Sequence, residues 1–180
     1  MITEFKRVVT AVDGKGKSIV FDETPLEPIE VALMPGTGIY PIWGYDQAPT
    51  VPVEAPSSVH APFFPNPSGS RFDIVRFPPA SPATPGEIDE ATIGAMVAEC
   101  EEKLPGLIGA MEPDGSGMHT TRTVDYGIVL SGEVYLLLDD GVEVRMPAGT
   151  CVVQNGTRHG WQNRGDVRAY VAFVVLGVPS

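Results

Sequence analysis

Three histidines occur in the chain, and two of them stand in company that could do chemistry. In Gly117-Met118-His119-Thr120-Thr121-Arg122-Thr123-Val124-Asp125, positions 119, 121 and 125 share parity, so on a strand they face one side. A straight strand would still separate His119 from Asp125 by roughly 20 Å at about 3.3 Å per residue. They reach one pocket only if the chain bends, and 120–123 is the expected bend. His159 must arrive from another strand. Gathered there, His119, Asp125 and His159 would make one polar pocket. The other reading of these residues also stands: buried histidines are satisfied by hydrogen bonds, and Asp125 caps a turn.

The elements that position these residues are short strands. The segment 127–138 is apolar with Ser131-Gly132 interrupting it, Asp139-Asp140-Gly141 is a tight turn, and Val142, Val144 and Met146 alternate after it. Cys151 to Val153 and Tyr170 to Leu176 are further strands. Short strands with regular turn signals indicate a β-sandwich or barrel. The expectation is a single domain over 1–180, with the barrel core at 117–178.

The front half has a different texture. The 18 prolines are concentrated there, and the chain also carries 20 glycines. Phe5 to Val12 and Ser18 to Phe21 flank Asp13-Gly14-Lys15-Gly16, a strong hairpin signal. From 25 to 70 the chain wraps over a sheet, with Tyr40 to Trp43 as one apolar piece, and Arg71 to Phe77 alternates as a strand. This gives 1–84 as a hairpin plus proline-rich wrapping strands. Residues 85–104 form the one helix expected. Thr84 is its N-cap, Pro85 its first residue and Glu87 the capping-box acid. Its apolar stripe is Ile93, Met96, Val97, Cys100 and Leu104.

Here the spacing of the histidine segments resembles the two motifs of the cupin superfamily. The first reads His119-x-Thr121, three residues, Asp125, six residues, Gly132. The second ends Gln154-x-Gly156-x-x-His159, with Asn163 after three more residues and Gly149 as its opening glycine. The departures are Thr121 for a second histidine, Asp125 for a glutamate, Gln154 for a proline and a second motif shorter by one residue. The resemblance implies an all-β fold: a cupin-type antiparallel β-barrel (double-stranded β-helix, or jelly roll) with one helix and extra N-terminal strands. It also implies a divalent metal (Fe, Mn or Zn) on His119, Asp125 and His159, and a homodimer paired through the N-terminal hairpin. A hydroxyl at Thr121 positions metal-bound water or, with Tyr126, contacts substrate.

Other side chains are weaker candidates. Arg76 and Arg71 offer guanidinium groups for a substrate carboxylate. His60 and Trp161 are expected to line the pocket with Trp43. Surface, salt-bridge and core roles compete for each of them. Cys100 and Cys151 are expected to be packing residues.

Composition excludes some classes. Twelve Lys and Arg face 23 Asp and Glu, a net charge of -11, so there is no basic footprint for nucleic acid and none for an anionic membrane surface. The chain shows neither an apolar leader nor a membrane-span-length segment, so a cytoplasmic setting and a small-molecule partner are expected. Two functions follow from the resemblance. One is a metal-dependent enzyme of the dioxygenase, decarboxylase, isomerase or lyase type acting on a small organic acid, carbonyl or aromatic compound. The other is a metal-free binding or sensing module.

Overall fold

In this computed structural model, residues 4–80 and 88–179 are described. The chain opens on the expected hairpin, β1 (Phe5–Val12) and β2 (Ser18–Leu26), with a bulge between Val9 and Thr10. Asp13 explains the turn: its Oδ1 accepts from the amides of Lys15 and Lys17, and Gly16 takes φ +76°. The second strand runs five residues past Phe21.

Two sheets then make the barrel. The larger has the order β3-β4-β10-β5-β8, built from Gly38–Tyr45, Ser70–Phe77, Ala169–Gly177, Thr123–Ser131 and Cys151–Gln154. The smaller has the order β7-β6-β9, from Glu143–Pro147, Glu133–Leu137 and Gly160–Gln162. Every pairing is antiparallel. The barrel therefore reaches beyond 117–178. β4 hydrogen-bonds to β10 along its length, so two strands of the proline-rich front half belong to the main sheet. Sequence order hid this, because strands far apart in the chain can be sheet neighbours.

The two sheets close on a core of Val129, Val134, Leu136, Met146, Ala169 and Val171. At an average of about 25 cal/mol per Å², burying side chains of this kind is the main favourable term holding the sheets together. Gly132, between β5 and β6, takes φ +71° with backbone of Arg168 and Ala169 closing on it, so a side chain is excluded there. In β7 only Met146 is buried. Val142 and Val144 alternate as expected but lie exposed, because β7 is the edge of the smaller sheet.

The helix α1 spans Glu90–Lys103, later than the expected start at 85. Its N-cap is Asp89, whose side chain accepts from the Thr92 amide. The expected cap at Thr84, Pro85 and Glu87 lies outside the described residues. Only the C-terminal end of the stripe is buried: Cys100 and Leu104 pack with Val31, Ile39 and Leu107, while Ile93 and Val97 are exposed. The helix thus docks by its last turn. No helix among the described residues is long and apolar enough to cross a membrane.

Candidate functional site

His119 and His159 meet through their own backbones. The His119 amide donates to the His159 carbonyl at 2.8 Å and the His159 amide donates back at 2.9 Å, an isolated bridge joining the two motif segments. The chain bends at Arg122, within the expected stretch, before β5 begins. The imidazoles stand side by side with centroids 4.2 Å apart.

Each ring is pinned by a main-chain oxygen two residues before it. Nδ1 of His119 donates to Gly117 O at 3.1 Å, and Nδ1 of His159 donates to Thr157 O at 2.8 Å. A carbonyl can only accept, so Nδ1 carries the proton and a neutral ring keeps its lone pair on Nε2. Both rings are neutral at ordinary pH. Burial lowers His119, and burial with the neighbouring His119 ring lowers His159 to about 4, against the opposing Thr157 bond.

Asp125 enters from β5 and lines the same cavity. Its Oδ1 is buried without a hydrogen-bond partner among the described residues. Burial raises its pKa, and a hydrogen bond from the Thr123 hydroxyl opposes the rise. The cavity measures about 260 Å³ and is walled mainly by apolar side chains, among them Phe63, Phe64, Val75, Met111, Trp161 and Phe173. Trp161 stands edge-on to His159, centroids 5.8 Å apart, and packs in turn on Phe173. Gly127 leaves room for that wall: a Cβ there would sit 3.0 Å from the Phe173 ring.

These donors fit a divalent metal by their chemistry: two neutral imidazoles with free Nε2 atoms and an orphaned carboxylate oxygen in one cavity. The convergent unit is the imidazole pair. Among the described residues no three His, Cys, Asp or Glu side chains are gathered in ligating geometry.

Several expected site residues lie elsewhere. Thr121 is buried, but its hydroxyl is paired with that of Thr123 at 2.8 Å and does not line the cavity. Tyr126, next to Asp125 on β5, points out of the sheet and is half exposed, because strand neighbours face opposite sides. Arg76 is buried on the face of β4 away from the cavity and is spent on Glu30, Gly36 O and the Tyr40 hydroxyl. His60 bonds to Ser58 and borders a separate hollow of about 30 Å³. Trp43 lies under the Arg7 guanidinium, outside the cavity. Cys100 is buried as expected, whereas Cys151 is exposed on the outer face.

Asp73 is the polar lining residue that motif spacing misses. Strand parity does reveal it: Arg71, Asp73, Val75 and Phe77 share one face of β4, and an acid among apolar strand positions is a signal. Phe63, Phe64 and Met111 come from loops, where no periodicity marks them.

The double antiparallel sheet with paired histidines inside agrees with the expected barrel, and some sequence relatives are described as cupin-domain-containing. The chain is 44% identical over 64 residues to a cupin-domain-containing oxidoreductase of Hypocrea virens, covering 34% of this chain and 33% of that one. It is 38% identical over 64 residues to another from Neurospora crassa, covering 34% and 33%. It is also 46% identical over 79 residues to the phomopsin biosynthesis cluster protein C' of Diaporthe leptostromiformis, covering 41% and 42%. The match thus spans less than half the length of these relatives. No protein-family model matches. Among solved structures, the chain is similar to a cupin domain of Schizosaccharomyces pombe at 9% identity and TM-score 0.45, covering 97% of this chain and 83% of that one. A cupin barrel-domain protein of Salinispora arenicola aligns at 14% identity and TM-score 0.41, covering 86% and 90%. The fold is that of a cupin-type barrel, and over the matched segments the chain is similar to proteins described as cupin-domain-containing.

Proposed function

We propose that this cupin is a metal-dependent enzyme whose substrate is a small, uncharged aromatic or carbonyl compound. The observation that carries the reading is the imidazole pair, Nδ1 anchored and Nε2 free, at the wall of an apolar cavity. Fe, Mn or Zn held by His119 and His159, with Asp125 as the carboxylate donor, supplies Lewis acidity, or O₂ activation if it is iron. Phe63, Phe64, Trp161 and Phe173 exclude water and grip a flat ligand. Among the described residues no Arg or Lys lines the cavity, which disfavours an organic acid. Relatives named oxidoreductases support redox chemistry over the decarboxylase, isomerase or lyase alternatives.

Elemental analysis of protein purified without chelator tests this. About one equivalent of Fe, Mn or Zn, lost in His119→Ala and in His159→Ala, is expected. Protein that takes up none of these ions under anaerobic incubation would sink it. The second reading is a metal-free binding module, favoured by the pairing of Thr121 with Thr123 and by a convergent pair rather than a triad. Ligand binding retained in the double alanine variant supports that reading.

A homodimer belongs to the same proposal. Phe72, Val174, Tyr126 and Val153 lie in register across β4, β10, β5 and β8, and three of the four are well exposed. A second copy is the occupant this row fits. Sedimentation of a Tyr126→Glu, Val153→Glu variant should then give a monomer where the parent is dimeric. A monomeric parent refutes it.

A further inference from the structure

We propose that Asp73 is a catalytic residue, a carboxyl group on the cavity wall formed by β4 that exchanges a proton with an oxygen of the bound substrate. The inference rests on reading the cavity as an enzyme site and adds to it the group that moves protons.

Asp73 is 6% exposed and lines the cavity with His119, His159 and Asp125. Among the described residues, no hydrogen bond reaches it. Its cross-strand neighbours, Phe173 on β10 and Pro41 on β3, have no side-chain donor to offer. A little-exposed carboxyl at a cavity wall with no protein partner is a candidate for function.

The charges around it do not neutralise it. Arg71, two residues away on the same face, is the cation whose charge acts on it. Its guanidinium is committed to Pro62 O, Tyr45 O, Ser70 O and Asp46. Lys103 and His60 border the small hollow behind Asp73, but Lys103 is held by Glu99 and Glu30 O, and His60 by Ser58. On the cavity side the titratable groups are Asp125 and the two imidazoles. Asp125 lies two strands away, across β10, and two residues further along, about 12 Å at the usual strand spacing and rise. That gap takes a substrate between the two acids, with the imidazole pair lining the same space.

Burial pushes the Asp73 carboxyl up to about 7, with Arg71 opposing. Both forms are therefore populated near neutrality, which is where a general acid or base works best. In its acid form the Asp73 O–H bond breaks as the proton passes to a substrate oxygen gaining negative charge. A new O–H bond forms there, and Asp73 is left as the carboxylate. It regains a proton from bulk solvent, or from a substrate hydroxyl when the reaction runs the other way.

Acetophenone, a neutral aromatic ketone, is the probe. Binding is followed by Trp161 fluorescence, and the hydrogen bond by the infrared stretch of its ¹³C-labelled carbonyl. The protein is used as purified and again after chelation. At pH 6 the bound carbonyl should be shifted to lower frequency in the parent, and the shift should be lost by pH 8.5. Asp73→Leu should lack the shift at both pH values and bind about threefold to tenfold more weakly, the range of one neutral hydrogen bond. Asp73→Asn keeps an N–H donor and should hold the shift at both pH values. Coincident parent and Asp73→Leu bands at pH 6, or a parent shift that ignores pH, overturns the role of Asp73 alone. Failure of the probe to perturb Trp161 overturns the cavity reading and the Asp73 proposal together.

Discussion

His119 and His159, forty residues apart, exchange both of their main-chain hydrogen bonds, at 2.8 and 2.9 Å. This reciprocal bridge sets the two imidazoles on one face with centroids 4.2 Å apart. It makes the pairing a property of the backbone. Either side chain can be removed without dissolving the geometry that presents the other.

The tautomers follow from that arrangement. In ¹⁵N spectra at pH 7 both rings should be neutral with the proton on Nδ1, since each Nδ1 faces a carbonyl. His159 should stay neutral at pH 5, because burial and its neighbour lower it to about 4. A ring protonated at both nitrogens at pH 5 would contradict this.

Asp73 should make stability depend on pH. Its folded-state value of about 7 lies above the ordinary 3.8, so the folded state holds this proton more tightly than the unfolded state. The contribution is intact below about pH 4 and is lost as pH rises through 7. Asp73→Asn should therefore gain on the parent in thermal melts between pH 4 and 7 and hold that gain above. At full ionisation the gain is on the order of 4 kcal/mol. The buried histidines slope the other way over pH 4 to 6.5, so the difference between parent and variant is the quantity to follow. A flat difference would show that Asp73 is not perturbed.

Gly127→Ala should destabilise by about 1–3 kcal/mol, the usual cost of overpacking. The added Cβ would lie 2.8 Å from Val152 Cγ1 and 3.0 Å from the Phe173 ring. Urea unfolding measures it. The same variant should weaken binding of an aromatic probe, because the crowded Phe173 ring lines the cavity.

Arg158 ties the segment before His119 to the segment before His159. Its guanidinium holds Glu112 by two bonds at 2.6 Å and Asp139 at 2.8 Å. Glu112 adjoins the cavity residue Met111. Arg158→Gln should therefore speed amide exchange over 111–119 while leaving the melting temperature nearly unchanged, as expected for ion pairs near the surface. Unaltered exchange would show that the backbone bond from the Glu112 amide to Met118 O suffices.

Much of this protein is legible in its residues. The hairpin turn at Asp13, the strands from Thr123 onward, the turn at Asp140 and the two motif histidines are local signals, because turn chemistry and strand period depend only on near neighbours. The same parity that groups Thr121 with Asp125 puts Tyr126 on the opposite, outer face. Tertiary structure alone decided the rest. It placed β4 beside β10, across nearly a hundred residues, and so carried the strand face that bears Asp73 to the cavity wall. It also spent Arg71 on the carbonyls of Pro62 and Tyr45 and closed the cavity with Phe63 and Phe64 from a proline-rich loop. Pairing partners and loop paths are set by the packing of the whole chain, a property that no single segment carries.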